Sequence, residues 1–316
     1  MSVASIHQAS GLLSVTHADV MIAGATLDLE LSRIHADALP QRGVLGAGWF
    51  LSYETRVLLD QSTDEAVLIL APSASTVTLL AEPDRSGWRS DDGKVTVVRG
   101  PLGGYVARFG NRTEYAYHSS GGLVQIAQDE AAIVPVRDQR GQVSRLPAPD
   151  GQGVLSLSYD DDRDLLLSIT DWADPPRTIT YSHNEYEQLT SVTERRGVKT
   201  QFTYHTPSPR VATIVDTLGR ISDAFWYDEL GRVQAHQLGE AIGTRAHEDY
   251  SYARDADGMP VTTIRYPPSA FLPDWNTETV ERFDNSGKLV ERATTTGPDS
   301  EPLFETLSSD RLGSPR

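Results

Sequence analysis

The sequence predicts an all-β fold of antiparallel β-hairpin repeats, on three observations. Aromatic residues recur at a near-constant interval: Tyr159, Tyr181, Tyr204, Tyr227, Tyr252 and Phe283 stand 22, 23, 23, 25 and 31 residues apart. A period in the twenties marks a repeat architecture. Between them lie short alternating runs such as Thr178-Ile179-Thr180-Tyr181, Gln201-Phe202-Thr203-Tyr204 and Lys288-Leu289-Val290-Glu291, and alternation with period two is the signature of a half-buried strand. Gly197, Gly219, Gly231, Gly258 and Gly287 punctuate the runs as turns.

The clearest unit is Phe225-Trp226-Tyr227-Asp228-Glu229-Leu230-Gly231-Arg232-Val233. Its three aromatics suit a pleated surface. Asp228 has the side chain to bond back onto the turn backbone, and Gly231 supplies a positive φ. Each unit therefore reads as a strand pair added to the edge of its neighbour. Other units drift: Tyr181 is followed by Ser182, Tyr204 by His205 and Tyr252 by Ala253. Tyr159 and Asp160 lead into Asp161-Asp162-Arg163-Asp164-Leu165, which has no glycine.

In the first half, residues 1–25 read as a lead-in with some strand character. Residues 26–34 alternate strictly and place Leu27, Leu29 and Leu31 on one face, which predicts a strand buried on one side. Gly43, Gly46 and Gly48 beside Trp49 predict backbone packed closely against a large ring. A phosphate cradle would require a following helix and a Lys-Ser/Thr pair, and the sequence has neither there. Residues 53–146 continue as short β-branched runs, with hairpins at 105–112 and 114–126. Pro147, Pro149 and Gly151 mark the softest boundary. It separates a domain at 26–150 from a repeat region at 151–316, although a continuing sheet would need no flexible linker there. Residues 240–247 are the one helix-like stretch of the second half, and 267–273 are an insertion that explains the 31-residue interval.

Composition narrows the function. The chain has 316 residues, a formal net charge of −16, 25 glycines, 18 prolines and no cysteine. Such an acidic balance argues against nucleic acid as a partner. Without cysteine there is neither a disulfide framework nor a thiolate metal site. The apolar run at 20–25 is too short for a membrane span and lacks signal-peptide flanks. The eight histidines form no His-x-x-x-His pair, and no Gly-x-Ser-x-Gly elbow occurs. The acids at 160–164 and Asp255-Ala256-Asp257-Gly258 read as solvated turns, the latter lacking the third acid and closing glutamate of a calcium loop. The sequence therefore predicts no catalytic, cofactor-binding or metal residues. The structural anchors are Tyr159, Tyr181, Tyr204, Tyr227, Asp228, Gly231, Tyr252, Phe283, Asp284 and Gly287, with rings of successive repeats stacking at Tyr181, Tyr204, Tyr227 and Phe283.

The pattern resembles the YD repeats of the Rhs family. Its carriers are Trp226-Tyr227-Asp228-Glu229-Leu230-Gly231-Arg232-Val233, Val215-Asp216-Thr217-Leu218-Gly219-Arg220 and Arg282-Phe283-Asp284-Asn285-Ser286-Gly287-Lys288-Leu289. A second piece, Leu27-Asp28-Leu29-Glu30-Leu31-Ser32-Arg33 with Leu45-Gly46-Ala47-Gly48-Trp49, is similar to the N-terminal domain that precedes those repeats. Leu312-Gly313-Ser314-Pro315-Arg316 looks like the family's core motif, so the chain is expected to stop within a repeat. Further shell sequence or a second chain would then cover the sheet edge.

The resemblance implies a spiralling, curved sheet contributing to a cocoon-like shell around a toxin cargo. It implies a non-enzymatic role in competition between bacteria. It also implies a cytoplasmic start and export without a classical signal, in relatives by a contractile secretion system. Self-cleavage does not carry over, because the one Asp-Pro, Asp174-Pro175, lacks the family's following Gly-Leu. A carbohydrate- or cell-surface-binding module is the alternative, and the two differ in whether the repeat rings face solvent or lie buried.

Overall fold

The computed structural model describes residues 3–39, 41–60, 65–70, 75–100, 103–110, 112–239, 246–266, 277–297 and 301–306. Among these the fold is all-β and antiparallel, and the single helical segment is the 3-10 turn Ser52–Glu54. The chain forms two compact units: Met1–Val3 with Val15–Lys199, and Ala4–Ser14 with Thr200–Arg316. No helix is long and apolar enough to cross a membrane among the described residues.

In the first unit, Leu29–Ala36 pairs with Trp49–Leu51 through Arg33↔Leu51, Ile34↔Phe50 and His35↔Trp49. Leu27, Leu29 and Leu31 are buried, as the alternation predicts. Thr26, Asp28 and Glu30 on the other face are exposed, as a one-sided strand requires, but from Ser32 onward that face is buried too: Ile34 packs with Ala36, Leu39 and Phe50, and on the leucine face Arg33 and His35 are enclosed as well. A charged residue is tolerated inside because Asp19, on strand Leu12–Ile22, pairs with Arg33.

A nine-stranded sheet follows, from Arg56–Asp60 to Ala131–Ile133, each strand beside the next in sequence. Six more strands, Val136–Arg137, Val143–Pro147, Val154–Tyr159, Leu166–Thr170, Thr178–His183 and Leu189–Thr193, continue in the same order. The soft boundary at 147–151 is an ordinary hairpin turn. Leu146 pairs with Leu155 across it, and the Ala148 N–H donates to the Gly153 carbonyl at 2.9 Å.

The second unit repeats the scheme from Lys199–Tyr204 and Val211–Val215, through Ile221–Tyr227, Val233–Leu238, Ala246–Arg254, Pro260–Tyr266 and Thr277–Phe283, to Leu289–Thr296 and Leu303–Thr306. The predicted insertion at 267–273, the terminal turn at 309–316 and residues 240–245 of the helix-like stretch lie outside the described residues; residues 246 and 247 begin a strand.

Alternation sets what each hairpin buries. In the first unit Leu157 sits opposite Ile169, Ile169 opposite Ile179, and Tyr181 opposite Val192. In the second, Phe202 sits opposite Ile214. All of these are buried, and each fully buried aliphatic side chain contributes about 1.5–3 kcal/mol. The opposite face is hydroxyl-rich, with Thr170–Thr178 at 3.0 Å and Thr203–Thr213 at 2.7 Å. Shifting the register by one residue would exchange the two faces, so the pattern itself fixes the pairing.

Candidate functional site

The repeated element is a turn whose chemistry is concentrated in one acidic or amide side chain. The Asp228 Oδ1 accepts the N–H groups of Leu230 (3.0 Å) and Arg232 (2.9 Å), and its Oδ2 accepts from the Arg232 Nε at 2.7 Å. The backbone closes around it: the Asp228 N–H donates to the Arg232 carbonyl, and the Gly231 N–H to the Asp228 carbonyl. Gly231 has φ 79°, a left-handed conformation that glycine adopts without a Cβ clash.

The same bonds to residues two and four positions on recur at Asp138, Asn184, Asp216, Asp255 and Asp284. At Asp160 the turn is longer. Its Oδ1 accepts from the Asp162 and Arg163 N–H groups, and Asp164 takes the positive φ. The Arg163 side chain, with help from backbone N–H groups, holds the Asp160 carboxyl down to about 2. The Asp228 carboxyl also lies below the usual range: burial pushes it up, but the Arg232 N–H and guanidinium outweigh that. These acids are consumed by their own turns.

The turn at Asp255 closes a hairpin without a slip in register, but most of the others sit beside one. The pairing shifts between Ser158 and Tyr159, Thr203 and Tyr204, Trp226 and Tyr227, and Arg282 and Phe283. An extra residue there bends the strand and frees backbone groups from the ladder. Tyrosine hydroxyls take up the freed carbonyls. Tyr159 donates to the Val143 carbonyl at 2.8 Å, Tyr227 to that of Val211 at 3.0 Å, and Tyr252 to that of Val233 at 2.6 Å. In all three the acceptor is the first paired residue after the turn of the preceding hairpin. The lateral link at these tyrosines is therefore a hydroxyl bond to the neighbouring turn. Ring-on-ring packing at Tyr227 is with His205, edge-on at 5.4 Å, and Arg210 lies over its face at 5.8 Å.

Two anchors lie out of phase with the rest. The slip in the hairpin of Tyr181 falls between Ser182 and His183, and Asn184 is the turn residue. In the next unit Asp255 holds the turn, three residues after Tyr252. Tyr181 and Tyr252 thus stand two places earlier than Tyr159, Tyr204, Tyr227 and Phe283. The Tyr181 ring is 3% exposed, and its hydroxyl donates to the Asp19 carboxylate at 2.7 Å. Burial pushes Asp19 up, opposed by the Arg33 charge and the Tyr181 hydroxyl. Arg33 keeps Nε and Nη2 without partners among the described residues.

N-terminal loops grip the turn edges. In the first unit the Leu166 N–H, freed at the slip beside Tyr159, donates to the Val44 carbonyl at 2.8 Å, and the Ala47 N–H donates to the Glu187 carbonyl at 3.1 Å. In the second unit the Val233 N–H donates to the Gly11 carbonyl at 2.8 Å, and the Thr262 hydroxyl to that of Gln8 at 2.5 Å. Gly11 has φ 72°, and a Cβ there would lie 2.6 Å from the Tyr252 ring. Gly46 likewise has φ 102° and abuts the Glu187 carbonyl. Of the glycines predicted to flank a ring, Gly43 meets Phe50, whereas Trp49 packs on His35 at 5.2 Å. These grips join residues far apart in sequence, and no local motif announces them.

A histidine held between two acids on neighbouring strands also went unread. His236 Nε2 lies 3.1 Å from Asp223 and Nδ1 lies 3.4 Å from Glu248, with Phe225 stacked on the ring at 4.7 Å. The Tyr250 hydroxyl donates to Glu248 at 2.5 Å. Burial alone would push His236 down, but the two carboxylates raise it to about 9. It is a cross-strand clasp over three adjacent strands. No group of three or more metal-ligating side chains is placed for an ion among the described residues.

A family model described as a domain of unknown function, DUF6531, matches residues 4–79. No curated protein matches the chain. Among solved structures, the crystal structure of TcdB2-TccC3 without its hypervariable C-terminal region has 11% identity and a TM-score of 0.42, over 94% of this chain and 15% of that one. The TcdB2-TccC3-Cdc42 crystal structure has 12% identity and a TM-score of 0.42, over 93% and 16%. A Photorhabdus luminescens Tc holotoxin pore has 10% identity and a TM-score of 0.29, over 90% and 20%. The chain thus spans less than a quarter of the length of the solved chains it resembles.

Proposed function

We propose that this chain is a structural, non-enzymatic part of an Rhs/YD-repeat shell that encloses or carries a toxin. The observation that carries the reading is the consumption of polar groups at the turn edge. Asp228 is used by its own turn, the Val233 N–H by Gly11 and the Val233 carbonyl by Tyr252. Such an edge fastens one hairpin to the next and leaves no donor or acceptor at Val233 for a substrate. A wall needs that closure, whereas a reaction centre needs groups held ready. Burial of Tyr181 and Phe283, 3% and 4% exposed, favours the wall over a sugar-stacking module, which requires open ring faces.

The sequence resemblance supplies the remainder: a toxin cargo, further shell sequence or a second chain as partner, and export without a classical signal. The test is to express the complete reading frame that encodes this chain and image the particles by electron microscopy, with protease digestion in parallel. A hollow particle holding density that resists protease until the wall is opened is expected. Solid lobes without a lumen, with every segment digested at once, would overturn the proposal.

A further inference from the structure

A cavity of about 330 Å³ in the first unit belongs to none of the turn-edge machinery. It is walled by the start of the strand Leu29–Ala36, by Tyr115 on strand Glu114–Tyr117, and by Ile133 and Leu146. Its volume lies in the range of small-molecule sites, which combine an apolar body with a few convergent polar groups. Leu29, Ile133 and Leu146 supply the apolar wall and are all buried. Asp28 and Glu30, which also line it and are exposed, supply carboxylates at its mouth.

The charge balance of the lining is one-sided. Among the described residues that line it there is no lysine, arginine or histidine. Neither carboxylate is in an ion pair among the described residues. Each uses one oxygen locally, Asp28 Oδ1 accepting the Gly24 N–H at 3.0 Å and Glu30 Oε1 the Ser32 hydroxyl at 2.6 Å. The Tyr115 hydroxyl adds a third polar group, and burial together with the nearby Glu30 charge keeps it in the neutral, hydrogen-bonding form. The Tyr115 ring is braced edge-on by Phe109 at 5.0 Å.

The geometry points to a binding site for a small amphipathic cation: an apolar body seated against Leu29, Ile133 and Leu146, with an ammonium or guanidinium head between Asp28, Glu30 and the Tyr115 hydroxyl. An anion of the same shape would meet two carboxylates and no cation. A neutral analogue would fill the apolar wall but leave the charged rim uncompensated. This site is independent of the shell reading and stands whether or not the chain encloses a cargo.

The test is isothermal titration calorimetry of the whole chain at neutral pH and low salt, with phenethylamine as the probe and phenylacetate and 2-phenylethanol as matched controls. Phenethylamine is expected to bind with one-to-one stoichiometry, and phenylacetate at least about tenfold more weakly. Glu30→Gln and Asp28→Asn, both at exposed positions, are each expected to weaken the amine by about tenfold while leaving the melting temperature unchanged. Ile133→Trp, which fills the cavity, is expected to abolish binding. If it fails to fold, the two carboxylate variants still decide the matter. No heat with phenethylamine, equal binding of amine and acid, or unchanged amine affinity in the Glu30→Gln, Asp28→Asn double variant would each overturn the assignment.

Discussion

The hairpins that hold Tyr181 and Tyr227 use the same turn and put their tyrosines to different ends. Tyr227 directly precedes its turn residue, is half-buried, and donates to the carbonyl of Val211 in the hairpin before it. Tyr181 stands three residues before Asn184, is buried, and donates to a carboxylate that also pairs with the buried Arg33. Phase alone does not separate the two roles: Tyr252 also stands three residues before its turn residue, Asp255, yet it donates to the Val233 carbonyl of the preceding hairpin as Tyr227 does to Val211. What sets Tyr181 apart is the acceptor beside it, the buried Asp19 carboxylate paired with Arg33.

Variants that break this contrast should rank in order of buried charge. Asp19→Ala is expected to cost most, about 3–5 kcal/mol, because it leaves Arg33 buried without compensation. Tyr181→Phe keeps the ring but removes a hydrogen bond to a charged group, an expected loss of about 1.5–3 kcal/mol. Tyr227→Phe removes a neutral bond to a carbonyl and should lose about 0.5–1.5 kcal/mol. Urea midpoints of the three variants, measured at one pH, test the order directly, and a Tyr227→Phe loss equal to that of Asp19→Ala would erase the distinction.

The grips of Gly11 and Val44 extend the comparison, since each unit receives an N-terminal loop at an amide freed by a register slip, Val233 in one and Leu166 in the other. Gly11→Ala places a Cβ at positive φ against the Tyr252 ring. It is expected to destabilise by about 1–3 kcal/mol, and to lower hydrogen-exchange protection at the Val233 amide. Unchanged protection at Val233 would show that the loop does not hold the turn.

The His236 clasp gives a pH signature. Its folded value, about 9, lies above the ordinary histidine value of 6.5. The stabilisation is therefore fully present below about pH 6.5 and is lost as the pH rises through about 9. The wild-type chain should lose more of its urea midpoint between pH 7 and pH 10 than the His236→Gln variant does. Equal losses would mean that the imidazole is not charged in the clasp. The smallest expected effect is Thr203→Ala, which removes a cross-strand hydroxyl pair on the polar face and should cost about 0.2–1 kcal/mol.

Much of this fold is legible in the sequence because turn and strand chemistry are local. Asp228 with Gly231, and Asp284 with Gly287, mark turns that the structure closes with the same bonds. The phase of Tyr181 was hidden because Glu187, at φ 59°, stands where the other turns carry glycine. An Asn followed three residues later by any left-handed residue is the signal that would have found it. The inward Arg33 was hidden for another reason: alternation puts it on the buried face after Leu31, but a charge there needs a partner, and that partner, Asp19, lies fourteen residues earlier on another strand. The grips of Val44, Gly11 and Gln8 depend on backbone groups, which carry no sequence signature at all.

Native-state hydrogen exchange on the full chain, wild type against Tyr227→Phe, bears most directly on whether each hairpin is fastened to the one before it through a tyrosine hydroxyl. Loss of protection should appear in the preceding hairpin, at the amides of Val211–Val215 and their partners in Lys199–Tyr204, as well as around residue 227. A loss confined to Ile221–Tyr227 and Val233–Leu238, or no loss at all, would contradict it.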